Sequence, residues 1–314
     1  MHDSVRRIID QMERNGYITD PEIATAVYLA MELKKPLLIE GQAGVGKTEI
    51  AKVLSNMLDV DLIRLQCYEG LDVNTSLYEW NYPKQMLRIK MEEQDRRSVA
   101  EKEEEIFGEE FLLKRPLLEA ITRKDRSPVL LIDEVDRADE EFEAFLLEVL
   151  SDFQVSIPEI GTIKATHKPY VILTSNRTRE LSDALRRRCL FFWIDYPSFE
   201  KEVRVVKAKV PGIDDVLAEQ ICVFMQGVRT IRLIKIPGVA ETLDWGLSLV
   251  ALHRDHLDHE TVRDTMAAFL KDNRDVQKML GKRLDVLLNA ASNGKAPGEA
   301  IPQVREQLAA LEAS

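Results

Sequence analysis

Apolar residues follow two different rhythms along this chain, and the change comes near Pro197-Ser198. In residues 1 to 33, Val5, Ile8, Ile9 and Met12, then Ile23, Val27, Ala30 and Met31, recur every three or four positions, which predicts two short helices. Compact apolar runs follow at Pro36-Leu-Leu-Ile39, Leu62-Ile-Arg-Leu65, Val129-Leu-Leu-Ile132, Tyr170-Val-Ile-Leu173 and Leu190-Phe-Phe-Trp-Ile194. Runs of that length suit buried strands. Helical stretches lie between most of them: Ile50, Val53, Leu54 and Leu58, then Phe142 to Phe153, then Glu180 to Arg187. Short apolar strands alternating with helices predict a parallel five-stranded sheet with helices on both faces. From Phe199 onward only helical stripes remain, such as Leu217, Ile221, Phe224 and Val228, and Val262, Met266 and Phe269. The expected organisation is an α/β domain over 1–197 and an all-helical domain over 198–314.

Two stretches interrupt the alternation. Within residues 74–114, Asn74-Thr-Ser-Leu-Tyr-Glu-Trp-Asn-Tyr-Pro83 precedes a charge-rich helical run, Met91 to Glu105, whose plainest reading is a solvated helix face. Residues 155–164 read as a β-hairpin turning at Pro158 to Gly161. Both are insertions in the α/β scheme.

The first strand ends in Gly41-Gln42-Ala43-Gly44-Val45-Gly46-Lys47-Thr48, which fits the phosphate-binding loop at every required position. Glycines let the backbone turn tightly and aim its N–H groups inward at phosphate oxygens. The helix that follows offers its positive end to the same anion. Lys47 would reach the β- and γ-phosphates and the Thr48 hydroxyl would coordinate Mg²⁺, with Glu49 closing the binding stretch. ATP and Mg²⁺ are the expected cofactors.

The third apolar run ends in Asp133-Glu134. A buried strand tolerates acids only at its C-terminal tip, where open α/β sheets bind ligands. Asp133 would hold Mg²⁺, and Glu134 would polarise the attacking water. Acids matching a helix dipole are the structural alternative. The fourth run ends in Thr174-Ser175-Asn176, which puts Asn176 beside Glu134 on a neighbouring strand, unless it merely caps the next helix. Arg186-Arg187-Arg188 ends a helix before the fifth run. It could complement that helix's C-terminus, form a short basic patch, or donate an arginine finger to a neighbouring subunit, and residue types alone leave these open.

Composition changes little in this picture. A net charge of −11 disfavours duplex nucleic acid, which needs a basic face. Cys67, Cys189 and Cys222 are odd in number and far apart, so neither a zinc site nor a disulfide framework is expected. That usage fits a reducing compartment, and cytoplasmic location is the expectation. No apolar run approaches the length of a membrane span.

Gly41-to-Thr48, Asp133-Glu134, Asn176 and a terminal arginine cluster together resemble an AAA+ ATPase core. Leu131-Ile-Asp-Glu-Val-Asp-Arg-Ala-Asp139, the helix Phe145-Leu-Leu-Glu-Val-Leu150 and Leu181-Ser-Asp-Ala-Leu-Arg-Arg-Arg-Cys189 are similar to the MoxR group, over about residues 20–290. Cys67-Tyr-Glu-Gly-Leu-Asp72 and Tyr78-Glu-Trp-Asn-Tyr-Pro-Lys84 resemble its CoxD-like branch, associated with maturation of molybdenum–copper carbon monoxide dehydrogenase and related molybdenum hydroxylases.

The resemblance implies an AAA+ P-loop NTPase core with a C-terminal all-helical lid. Lys47 and Thr48 would serve in Walker A, Asp133 and Glu134 in Walker B, and Asn176 as first sensor. Arg188, or Arg187, would be the trans finger. It further implies a homo-hexameric ring, a helix-2 insert and pre-sensor hairpin at 74–114 and 155–164, a von Willebrand factor A domain partner and a client metalloenzyme. One position departs from the family pattern. Where the lid commonly places a second-sensor arginine, this chain reads Pro237-Gly-Val-Ala-Glu241, and an acid there would repel a γ-phosphate. Two competing functions follow from the residues. A nucleic-acid motor would need basic loops, and the hairpin offers only Lys164 against Glu159. A nucleotide-gated scaffold with little turnover would fit the lid departure but not an intact Glu134.

Overall fold

The computed structural model describes residues 2–91, 106–292 and 297–313. Its strands are β1 (Leu37–Gly41), β2 (Leu62–Gln66), β3 (Tyr78–Trp80), β4 (Leu112–Lys114), β5 (Val129–Asp133), β6 (Gln154–Ile157), β7 (Gly161–Lys164), β8 (Tyr170–Ser175) and β9 (Leu190–Ile194). Five of them, those read from the apolar runs, form one parallel sheet in the order β2-β5-β8-β1-β9. The register aligns the C-terminal tips: Gln66 lies opposite Asp133, and Glu40 opposite Ser175. Every polar strand ending therefore reaches the same edge, where ligands bind in such sheets.

The chain divides into two compact units. The first holds Met1–Asn15, Thr19–Gly41 and Lys47–Trp193. In it Leu38, Leu130, Ile132 and Leu173 pack with Leu117, Leu118, Ile121 and Leu146 in one buried cluster. Residues of the other parity, Leu37, Leu131 and Ile172, are equally buried, so both sheet faces are covered. The helices of this unit are α1 (Asp3–Arg14), α2 (Pro21–Leu33), α3 (Lys47–Leu58), α4 (Val73–Ser76), α5 (Tyr82–Met91), α6 (Pro116–Thr122), α7 (Glu140–Asp152) and α8 (Asp183–Arg188).

The stretch 74–114 contains a feature that the sequence pattern did not suggest. β3 and β4 pair antiparallel across it, with Trp80 opposite Leu112. Strands of three residues are too short to display an alternating pattern. Of the charge-rich run 91–105, only Met91 lies within the described residues. The segment 155–164 forms an antiparallel hairpin of β6 and β7, with Gly161 in the left-handed region at φ 91°.

The second unit holds Gly16–Ile18, Gln42–Gly46 and Ile194–Ser314. Its described elements beyond Ile194 are helices: α9 (Phe199–Lys209), α10 (Asp215–Val228), α11 (Val239–Ala251), α12 (His259–Phe269), α13 (Asn273–Met279), α14 (Lys282–Ser292) and α15 (Pro297–Ala313). Phe224, Trp245 and Phe269 form its aromatic centre, with ring centroids 4.5–5.8 Å apart. The one polar atom of that trio is satisfied, because Trp245 Nε1 donates to Thr265 Oγ1 at 2.8 Å. Among the described residues no helix is long and apolar enough to cross a membrane.

Candidate functional site

The glycine loop joins β1 to α3, and its conformation shows why glycine is required. Gly44 and Gly46 sit at φ 74° and 91°, where a side chain would be strained. Lys47 opens α3, is buried, and donates from Nζ to Gly41 O at 2.9 Å, closing the loop on itself. Burial lowers the Lys47 pKa from its ordinary value, and the charges of Asp136, Asp133 and Glu134 oppose that shift. Gln42 and Ala43 are exposed, and Val45 is buried. Glu49 pairs with Lys52 one turn further on, at 3.2 Å.

At the second residue of α3, Thr48 Oγ1 donates to Asp133 Oδ1 at 3.1 Å. Asp133 also accepts from Thr174 Oγ1 and from Arg64 Nε, the latter at 3.1 Å. Its carboxylate is nearly sealed, whereas the Arg64 side chain is 51% exposed. A hydroxyl and a carboxylate oxygen this close are hard donors that fit Mg²⁺ in company with phosphate oxygens. Among the described residues no group of three or more His, Cys, Asp or Glu is placed to hold a metal ion.

Glu134 follows in the left-handed region at φ 54°, ψ 50°, uncommon for a residue with a side chain. Its N–H donates to Thr174 Oγ1 at 2.9 Å. Oε1 accepts from Asn176 Nδ2 at 3.3 Å, and Oε2 from Gln66 Nε2 at 3.2 Å and Arg137 Nε at 3.0 Å. The strand tips thus bring Thr48, Asp133, Glu134 and Asn176 into one cluster. Strain at a polar strand tip is a recurrent mark of functional sites.

Three supporting residues escaped sequence reasoning. Buried Asp136 accepts from the N–H groups of Asn176 and Thr178 at 3.2 and 2.8 Å, and from Thr178 Oγ1 at 2.7 Å, so it holds the loop that carries Asn176. Arg64 stands out only as a lone cation inside an apolar run. Buried Glu40, directly before the glycine loop, accepts from Arg186 Nη2 at 2.6 Å.

The arginine cluster divides accordingly. Arg186 is committed to Glu40, while Arg187 and Arg188 are exposed. Arg188 Nε donates to Ser151 Oγ at 2.8 Å, and neither exposed arginine bonds to the Asp133–Glu134 cluster.

Residues 37–195 match the model of the ATPase family associated with various cellular activities (AAA). The chain belongs to that family. The AAA match spans the five-stranded sheet, the glycine loop and the Asp133–Glu134 tip. Relatives include the "Uncharacterized protein SH1500" of Staphylococcus haemolyticus, 27% identical over 228 residues, 70% of this chain and 78% of that protein. Another is the "Uncharacterized protein SAB1265c" of Staphylococcus aureus, 29% identical over 207 residues, 64% and 70% of the two chains. Among solved structures, a point mutant of Thermotoga maritima RuvB is 16% identical and covers 97% of this chain and 88% of its own, at TM-score 0.48. Thermotoga maritima RuvB described as a Holliday junction branch migration motor is 18% identical, covering 91% and 85%, at TM-score 0.47.

Proposed function

We propose that this AAA protein is a Mg·ATP-dependent remodelling ATPase that assists maturation or metal-centre assembly of a molybdenum-containing hydroxylase such as carbon monoxide dehydrogenase. The hydrolytic part rests on one observation: Glu134 is held in a strained conformation beside Asp133, with Asn176 on its carboxylate. Gly41 to Thr48 would receive the triphosphate, and Thr48 and Asp133 would hold Mg²⁺. When bound, the ion neutralises charge on the phosphates. Glu134 accepts a proton from the attacking water, and Asn176 orients that carboxylate. Arg188, or Arg187, exposed at the C-terminal end of α8, serves the site of an adjacent subunit in a homo-hexamer. The client class, and a von Willebrand factor A domain partner, rest on the MoxR and CoxD-like resemblance of Leu131–Asp139, Leu181–Cys189 and Cys67–Lys84.

ATP hydrolysis by the wild type and by Glu134→Gln tests the first part. Turnover should fall about 10²- to 10⁴-fold while nucleotide binding persists; equally negligible rates for both, with partner present, would replace the ATPase by a nucleotide-gated scaffold. Glu241 in the lid is the observation that favours this second reading. Arg188→Ala should cut turnover by about 10³ or more with affinity kept, and lost affinity would mark a structural arginine. For the client, deletion of the gene should leave the host's molybdenum hydroxylase inactive, restored by the wild type and not by Glu134→Gln. Full hydroxylase activity in the deletion strain would remove the maturation role.

A further inference from the structure

The apex of the glycine loop and the start of α11 belong to the same compact unit, and they are bonded. Val239 and Ala240 donate their backbone N–H groups to Gly44 O at 2.9 and 3.2 Å. These are two of the N–H groups that a helix start leaves without an internal partner. Gly238 comes closer still. A methyl there would stand 2.7 Å from Ala43 O and 2.9 Å from Gly44 Cα. Its own φ of −87° suits any residue, so the close approach, and not the backbone, demands glycine.

The turn carrying Gly238 is clamped from inside the helical region. Arg229 donates to Pro237 O at 2.9 Å, to Gly238 O at 3.1 Å, and to both carboxylate oxygens of Glu202 at 2.7 Å. Thr242 Oγ1 adds a bond to Glu202 at 2.8 Å, and Glu241 Oε2 accepts the Gly238 N–H at 2.8 Å. Arg229 and Glu202 are 6% and 0% exposed, so this pair does not exchange with water readily.

A trans peptide points its C=O and N–H in opposite directions. Holding Gly44 C=O against α11 therefore turns the Val45 N–H away from α11. Amides of such a loop are what receive a phosphate anion. We propose that Gly238 is a positioning residue, through which the clamped turn before α11 sets the Gly44–Val45 peptide and so readies the loop for a polyphosphate. This inference rests on the reading of Gly41 to Thr48 as the nucleotide loop. It gives the helical region a grip on the nucleotide without a second-sensor arginine: Glu241 locks the turn, and the backbone transmits its position.

Gly238→Ala is the direct test, since its own φ accepts alanine and the added methyl must push the Ala43–Gly44 backbone away from the turn. Val239→Pro is the second variant: proline suits the first helical position, and here it both deletes the N–H donor and sets a ring carbon against Gly44 O, so it too displaces the loop, and it decides alone if Gly238→Ala does not fold. Each is compared with the full-length wild type by stopped-flow dissociation and equilibrium binding of a fluorescent ATP analogue with Mg²⁺, and by melting without nucleotide. Expected is a Kd raised on the order of tenfold through faster dissociation, the scale of one bond to a charged group, with a cooperative nucleotide-free melting transition retained. Wild type that binds with both variants within twofold of it overturns this inference alone. Wild type that binds no nucleotide overturns the nucleotide reading, and this inference with it.

Discussion

Two arginine–carboxylate pairs, one in each compact unit, solve different problems. Arg64–Asp133 lies at the strand tips, with the acid nearly sealed and the arginine half in water. Arg229–Glu202 is shut away on both sides and bonded also to Thr242, Pro237 and Gly238. A half-exposed pair can exchange its cation cheaply, because the leaving guanidinium is rehydrated at once. A sealed pair cannot part without stranding a charge in a medium that solvates it poorly. The first arrangement suits an acid that must take another cation in its cycle, and the second suits a fixed support.

Unfolding measurements can break that contrast. Glu202→Ala should be the most damaging, about 3–5 kcal/mol by urea denaturation, since it leaves Arg229 buried without its counter-charge. Asp136→Ala should follow, at about 1–3 kcal/mol, because the Asn176 and Thr178 donors lose their acceptor. Arg64→Ala should cost only about 1 kcal/mol, as Thr48 and Thr174 still donate to Asp133. An Arg64→Ala loss equal to that of Glu202→Ala would end the distinction. The smallest effect comes from the thiols, which report on the two regions separately. Burial pushes Cys67 up to about 12, helped by the Asp133 charge, and raises Cys222, helped by Glu202. Unfolded thiols ionise near their ordinary value of about 8.5 while these stay protonated, so stability should decline as pH rises above that value. Alkylation at pH 8.5 should be slow at both until denaturant is added, and fast labelling of Cys67 alone would mark the strand-tip region as the looser one.

The legible part of this molecule is the part built from local pattern. Val129 to Ile132 announces a buried strand by four consecutive apolar residues, and Asp133-Glu134 announces its tip by ending that run. Gly41 to Thr48 is legible because its backbone demands glycine at set positions. Asp136 was hidden: its partners lie 40 and 42 residues away, and a third acid among several looks like helix-dipole charge. Arg229, just past the end of α10, and Glu202, on α9, are 27 residues apart, with nothing local to mark either as buried. Glu241 was legible as an unusual residue, and its use was not. Its bond to the Gly238 N–H depends on where the chain turns. Partnerships of that kind are set by tertiary structure, which single-chain periodicity does not encode.

The left-handed backbone at Glu134 has a practical consequence for anyone selecting sturdier versions of this protein. Glycine would be more comfortable there, by about 1 kcal/mol on backbone grounds. A library screened for heat resistance alone would therefore drift towards replacing Glu134, enriching hardy proteins that have given up the group meant for water activation. Any such campaign needs an activity filter at each round.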